Sequence, residues 1–535
     1  MMKGERSLTM EQMESNKKVM HLVKKSKKGL SRIVFSRLGL IILLLAVQVG
    51  VIVLILSWFG EYAAHFYGLI FLFSLVMGLG MINSKSDPTS KMTWLYLMSV
   101  TPILGALFYW FVKSDLGHRT LKNKVNSIID RTEDTAQQDP ETLALLKQKN
   151  PGAASLAHYA KQHNGYPVWD ETEITYFPLG EDKWKEMLKQ LEEAKDFIFM
   201  EYFIIEEGLM WGSILDILAR KAKEGVDVRV MYDGTCAFTT LPYSYPERMR
   251  ELGIKCKMFS PVLPFISTTY NYRDHRKILV IDGQVAFNGG VNLADEYINH
   301  IEKHGHWKDV AVMVKGKAVQ TFTLMFLQMW NAEEAKEDFG SYLEVIPEPV
   351  KEAKGFVMPY GFNPLDDDRI GENVYIDILN RAQEYVHIMT PYLILDGEME
   401  AALKLCAQRG VDVKIIMPGV PDKFVPYAMA KNHYKDLIEG GVQIYEYTPG
   451  FVHAKVFVAD DREAVVGTIN LDYRSLYHHF ECATYMYDVP AVAQVEDDFE
   501  ETLKKCSLVT LEKAKSRSLK YKVTGWIMKI FAPLF

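Results

Sequence analysis

"NYRDHRKILVIDGQVAFNGGVN" (Asn271–Asn292) lies near the middle of this 535-residue chain. Its centre, HRKILVID, predicts a strand entered by His275 and Lys277, which share a face because strand residues two apart point the same way. Asp282-Gly283 is a favoured hairpin turn. Gly289-Gly290 and Asn292 fall on the returning strand, where the lack of bulk lets the backbone approach a ligand closely. The arrangement recurs 178 residues later as "HAKVFVADDREAVVGTIN" (His453–Asn470). Lys455 stands at +2, Asp460 at +7, the small pair Gly467-Thr468 at +14 and +15, and Asn470 at +17. One H-x-K is close to chance, but a match at five offsets marks a duplication.

Outward from each copy the pattern alternates strand and helix. In the first half, DFIFMEYFII (196–205), VDVRVMYDG (226–234) and GIKCKMFSP (253–261) predict strands, with a helix over 212–225. The second half repeats the order in EYVHIMTPYLIL (384–395), a helix over 399–410, VDVKIIMPG (411–419) and GVQIYEYTPG (441–450). Such alternation implies an α/β fold with one helix-covered sheet per half, related by a pseudo-twofold axis. The expected division is a basic tail over 1–37, a transmembrane region over 38–115 and a linker over 116–165. Two catalytic domains over 166–345 and 346–510 and a basic amphipathic tail over 511–535 complete it.

The charge is partitioned. The net −7 contains +7 on residues 1–37 and +7 on 504–529, leaving −21 on the rest. Basic ends on an acidic body point to anionic lipid as the partner and count against nucleic acid. Five scattered cysteines offer no disulfide frame or zinc knuckle and suit a reducing compartment. Leu38–Phe59, Tyr62–Ile82 and Met92–Val112 are three uncharged apolar runs, which predict a retained anchor. Pro102 and Gly105 interrupt the third, so two full spans and a returning segment are expected. The basic flank then holds the body on the cytoplasmic side of a cell membrane. The last residues, from Ser516, suit an interfacial segment.

An imidazole, an ammonium and an amide converging on one space fit an anionic tetrahedral group. Two copies place two histidines about one phosphorus, one to attack and one to move the proton. Lys277, Lys455, Asn292 and Asn470 are the expected phosphate-binding groups. The lysines neutralise the phosphoryl oxygens, so no metal or other cofactor is expected. Each histidine needs an orienting carboxylate; Asp309 in HWKDV and Glu481 in HHFE follow the two motifs at comparable distance. Asp282 and Asp460, at an odd offset, read as turn and ion-pair residues. Tyr270, Tyr272 and the VLPFIS and FVPYAM loops are candidates to line the cleft.

These residues resemble the phospholipase D superfamily, with its duplicated H-x-K-x(4)-D and trailing G-G/S/T-x-N. Within it the chain is similar to bacterial cardiolipin synthases over nearly its whole length, through "TPILGALFYW", "HWKDVAVMVKGKAV" and "GTINLDYRSLYHHFE". The resemblance implies two phospholipase D-like α-β-α sandwich domains and a catalytic set of His275, Lys277, Asp282, His453, Lys455 and Asp460. It implies reversible transfer of a phosphatidyl group between two phosphatidylglycerols, giving cardiolipin and glycerol through a phosphatidyl-histidine on His275, with His453 as acid and base. Hydrolysis by a phospholipase D and a membrane-tethered nuclease are the rival outcomes. One departure stands out: His479 occupies a position where many relatives carry Asn.

Overall fold

The computed structural model describes residues 63–84, 87–113, 116–132, 135–261, 272–333, 340–366 and 368–534, with Ala46, Gly50, Val53 and Leu54 before them. The chain forms two compact units. The larger, over Leu121–Val262 and Tyr270–Trp526, contains both copies of the motif.

Its first sheet comprises β1 (Thr172–Phe177), β2 (Phe197–Tyr202), β3 (Asp227–Asp233), β4 (Lys255–Phe259), β6 (Lys277–Ile281), β7 (Val285–Gly289) and β9 (Ala311–Gly316). Two short strands, β5 (Arg273–Asp274) and β8 (His306–Lys308), stand apart from it. The second sheet comprises β10 (Phe356–Phe362), β11 (Tyr385–Met389), β12 (Asp412–Pro418), β13 (Gln443–Tyr447), β15 (Val456–Ala459), β16 (Glu463–Gly467), β17 (His479–Tyr487) and β18 (Cys506–Leu508), with β14 (Gly450–Val452) apart. The spatial orders are β1-β9-β7-β6-β2-β3-β4 and β10-β17-β16-β15-β11-β12-β13-β18, so each strand of the first sheet has its counterpart in the second. In both, the chain runs parallel across three strands (β2, β3, β4; β11, β12, β13) and antiparallel through the hairpin that carries the motif. The duplication is therefore one of topology as well as of sequence.

Alternate residues of each strand face opposite sides, and both sides are apolar. The outer face of the first sheet packs on the helices Gly180–Glu193 and Leu209–Glu224. That of the second packs on Ile370–Arg381, Gly397–Gln408 and Phe424–Glu439. The inner faces share one core, in which Ile278 and Val280 of β6 join Val456 and Val458 of β15 and the helices Val319–Glu333 and Ala491–Leu503. Burying both faces explains the nearly unbroken apolar runs of the central strands.

Three expectations change. The stretch 116–165, read as a linker, is helical: Leu116–Thr132, Pro140–Lys149 and Pro151–Asn164. Asp139 and Asn150 cap the last two, each followed by a proline at the first helical turn. FVPYAM is the start of a helix and not a loop. The tail helix Leu519–Ile530 sets Gly525 tightly against Ala428 and Asn432, where a side chain would clash, while Leu519 and Trp526 stay 74% and 73% exposed. It is thus both packed on the body and apolar towards solvent.

The smaller unit includes the third apolar run, which breaks at Thr101 into the helices Pro88–Val100 and Pro102–Lys113. Gly105 permits the two to touch, since a Cβ there would lie 2.8 Å from the Leu97 carbonyl oxygen. Trp94 fills the contact against Phe108 and Tyr109. Among the described residues no helix is long and apolar enough to cross a membrane, so the expected transmembrane region has no support there. The basic tail and nearly all of Leu38–Phe59 lie outside the described residues, as do Tyr270 and VLPFIS.

Candidate active site

Both motif histidines stand just before their hairpins and are held there by the opposite half. β5, leading into His275, pairs in parallel with the start of β17, and the His275 N–H donates to the Phe480 carbonyl at 2.9 Å. β14, leading into His453, pairs in parallel with β8, and the His453 N–H donates to the Lys308 carbonyl at 2.7 Å. Each strand that presents a histidine is thus zipped to a segment of the other half that carries or leads into a carboxylate.

The carboxylates follow this exchange. His275 Nδ1 lies 2.9 Å from both oxygens of Glu481, and His453 Nδ1 lies 2.7 Å from Asp309 Oδ2. Counting along the chain pairs Asp309 with His275 and Glu481 with His453; the structure crosses the two. All four groups are buried. A carboxylate on Nδ1 keeps the proton there, which leaves Nε2 with the lone pair.

The second residue of each small pair serves these carboxylates. A Cβ on Gly290 would sit 2.1 Å from Asp309 Oδ1, and one on Gly467 would lie 2.5 Å from the Ala483 Cα. Thr468 Oγ1 donates to Glu481 and also accepts the Cys482 N–H at 3.0 Å. Thr468 is a positioning residue that the sequence pattern registered only as small. The close approach expected towards a ligand is made instead towards Asp309 at Gly290 and towards the neighbouring strands at Gly289 and Gly467.

Lys277 and Lys455 are both buried, and each ammonium donates to the carbonyl of its own histidine. Lys455 Nζ also lies 2.9 Å from His453 Nδ1. Burial lowers Lys277 to about 8 and Lys455 to about 7, with Glu481 and Asp309 respectively opposing the shift. Burial, followed by Lys277 and Lys455, pushes His275 well below the usual imidazole range. Burial and Lys455 lower His453 to about 4, against the pull of Asp309 towards protonation. Lys277 acts on both histidines, so the two motifs form one electrostatic unit.

The remaining predicted residues divide. Asp282 accepts the N–H groups of Lys195, Asp196 and Phe197, each at 2.8 Å. Asp460 does the same for Gln383, Glu384 and Tyr385 at 2.8–2.9 Å. Both occupy turns with positive φ at the far ends of β6 and β15, about 20 Å along the strand from the histidines. They fasten the hairpin to the strand beside it, and the partners are amides, where an ion pair was expected. Asn292 is occupied too: Oδ1 accepts from the Ile204 N–H at 3.1 Å and Nδ2 donates to Tyr297 Oη at 2.8 Å. Asn470, its counterpart, is buried with Oδ1 unpartnered.

The rings around the histidines were not anticipated. Phe203 meets His275 edge-on at 4.8 Å, and His479 lies 5.3 Å from it. His453 is bounded by Tyr297 at 5.2 Å and Trp307 at 5.5 Å. Trp307 and His479 are counterparts, each two residues before its carboxylate. Tyr272, a proposed cleft residue, has its ring 6.5 Å from His478.

Comparison with known proteins gives the chain a family. The family described as "Cardiolipin synthase, PLD-like domain" matches residues 187–330 and 375–503, one segment in each half. An uncharacterized protein of Streptococcus mutans serotype c is 55% identical over 85% of this chain and 99% of its own length. Cardiolipin synthases of Halalkalibacterium halodurans and Alkalihalophilus pseudofirmus are each 31% identical, over 93% and 87% of this chain and 99% and 93% of their own. In fold, the crystal structure of phosphatidylserine synthase from Haemophilus influenzae superposes with a TM-score of 0.53 at 15% identity, covering 71% of this chain and 98% of that one.

Proposed function

The chain belongs to the cardiolipin synthase family with PLD-like domains, and from that premise we propose that it is a phosphatidyltransferase joining two phosphatidylglycerols into cardiolipin and glycerol. The observation that carries the reading is the reciprocal pair of carboxylate-held histidines, one from each half, each with a buried lysine on its own carbonyl.

In the proposed path the lone pair on His275 Nε2 attacks phosphorus. The bond to the glycerol oxygen breaks, and that oxygen takes a proton from His453. The phosphatidyl group now rests on His275. His453, left as a base, removes the proton from the terminal hydroxyl of a second phosphatidylglycerol. That oxygen attacks phosphorus, the P–N bond breaks, and cardiolipin leaves with His275 restored. Lys277 and Lys455 offset the negative charge that builds on the phosphoryl oxygens.

The electrostatics support this division of roles. His275, neutral and facing Lys277, Lys455 and His453, suits a nucleophile. His453 must acquire a proton, and Asp309 favours that form. An incoming phosphodiester anion offsets the lysine charges and raises His453 further. The pull of Asp309 supports His453 as the acid and base.

Lipid as the substrate surface is supported by the tail helix, where Leu519, Val523 and Trp526 are exposed at helical spacing with Lys520 and Lys522 beside them. The apolar amino-terminal runs and their basic flank support a cell-membrane enzyme with its body on the cytoplasmic side.

Purified full-length protein in detergent, with EDTA present, is expected to convert phosphatidylglycerol alone into equal amounts of cardiolipin and free glycerol. Phosphatidic acid as the main product would assign hydrolysis instead.

A further inference from the structure

His275 Nδ1 and Glu481 have a third neighbour that the transfer scheme does not use. His479 is buried, its Nδ1 has no hydrogen-bond partner, and that nitrogen lies 3.6 Å from Glu481 Oε1. The His275, His479 and Glu481 ligand atoms all fall within 4.8 Å of one another. Tetrahedral zinc sets its ligand atoms about 3.3 Å apart, and the two measured separations within this group, 2.9 and 3.6 Å, bracket that value. Two imidazoles and one carboxylate suit a borderline transition-metal dication and do not suit magnesium or calcium.

We propose that His275, His479 and Glu481 form a regulatory site for a transition-metal dication, which silences the enzyme by holding His275 in the wrong tautomer. The proton of the resting imidazole is on Nδ1, shared with Glu481, and Nε2 is free to attack. A metal ion bound at Nδ1 needs the lone pair there. The neutral ring keeps its one proton, which moves to Nε2 through solvent, and the attacking nitrogen loses its lone pair. The metal takes the place of a hydrogen-bonded proton beneath the ring, so the brake leaves the lysines and the phosphate position free. Inhibition is therefore expected in the maximal rate, with little change in the lipid concentration that half-saturates the enzyme.

The pseudo-symmetric position cannot do this. Trp307 stands where His479 stands, so His453 and Asp309 lack a third ligand in that position. The device belongs to one half.

The test is a cobalt titration of the full-length protein in detergent, read by visible ligand-field absorption, beside zinc titrations of the transfer rate. The expected result is one Co2+ in a tetrahedral-type spectrum, displaced by Zn2+, and a transfer rate that falls with zinc and returns with EDTA. His479→Ala, and His479→Asn as the smaller change, should weaken Co2+ binding by more than roughly tenfold and make each variant's own rate correspondingly less sensitive to zinc. His387→Ala, at the separate cluster with Glu496 and Glu500, should leave the spectrum in place. A spectrum that survives both His479 variants, or none in the native protein, would overturn the site. Binding at these residues with an unchanged rate would overturn the brake. The brake rests on His275 as the nucleophile while the spectrum does not, so metal-free enzyme making no cardiolipin would count against the functional reading alone.

Discussion

His275 and His453 occupy equivalent places in two copies of one hairpin, yet their surroundings have diverged. The first sits among polar groups: Glu481 on its Nδ1, His479 beside it, and behind it a buried set of Glu201, Asp274 and Arg276. The second sits in an aromatic box of Tyr297, Trp307 and Phe451, and the positions matching Glu201, Asp274 and Arg276 are Met389, Val452 and Ala454. A duplicated scaffold thus supplies two histidines of the same geometry in different fields. In the proposed transfer, symmetry of the backbone brings both to one phosphorus and asymmetry of the side chains gives them separate work.

The largest effect should come from breaking the crossed pairs. Glu481→Gln and Asp309→Asn are each expected to lower phosphatidyl transfer by roughly 10²–10⁴-fold, as loss of an orienting carboxylate does elsewhere. The two are separated by a substrate with a good leaving group, a phosphatidyl p-nitrophenol, which needs no acid. Asp309→Asn and His453→Ala should still release a first-turnover burst of nitrophenol. Glu481→Gln and His275→Ala should release none. A burst lost in Asp309→Asn but kept in Glu481→Gln would restore the same-half pairing and dismantle the exchange.

The polar set behind His275 also makes the two halves differ in how their stability depends on pH. Glu201 and Asp274 are wholly buried, and Arg276 Nε is 3.6 Å from Glu201. Burial, then the neighbouring carboxylate, pushes Glu201 well above the carboxylate range; burial pushes Asp274 up to about 6. Above about pH 6, where Asp274 is ionised, Arg276→Ala leaves that carboxylate without its facing guanidinium in a dry core, and about 3–5 kcal/mol of unfolding free energy should be lost. The sign with pH follows from the raised values. The unfolded chain ionises these groups near 4 while the fold keeps them protonated, so stability should fall as pH climbs from about 4 through 6. Glu201→Gln should flatten that fall. Thermal unfolding between pH 4 and 8 measures both, and a slope unchanged by Glu201→Gln would mean the pair does not titrate in this range.

Most of the fold was legible because its signals are periodic. From DFIFMEYFII to GVQIYEYTPG the strands lie within one to three residues of their predicted bounds, except that EYVHIMTPYLIL ends six residues early at Met389, and the duplicated offsets foretold the duplicated sheet order. The crossing of the carboxylates was not legible, because spacing along a chain says nothing about which half a short strand will pair with; β5 and β14 contribute only two and three residues each. The aromatic neighbours were hidden for a similar reason: Phe203, Tyr297 and Trp307 are unremarkable in sequence and meet the histidines only in space. Asp274 and Arg276 did leave a trace. "YRDHRK" carries charges where "GFVHAK" carries none, and an inequality between two copies of a repeat marks where their burdens differ.

The smallest effect concerns the two turns. Both hairpins reverse through two residues of positive φ, Asp282-Gly283 at 52° and 65° and Asp460-Asp461 at 53° and 55°, closed by bonds from Gln284 to Ile281 and from Arg462 to Ala459. These are type I′ turns, so the Asp-Asp turn that read as looser has the geometry of the first. The left-handed conformation costs an L-residue about 1–2 kcal/mol, less for Asp. At Gly283 an added Cβ would also lie 3.0 Å from Val345 Cγ1, so Gly283→Asp should destabilise by about 1–2 kcal/mol. Asp461→Gly relieves the strain but removes the acceptor of the Tyr385 hydroxyl, a bond of 2.8 Å. The two terms are similar in size, and the net change should stay within about 0.5 kcal/mol. Denaturant unfolding of the two variants decides it. Equal penalties would mean that the turns are interchangeable and that the asymmetry of the halves is confined to their buried faces.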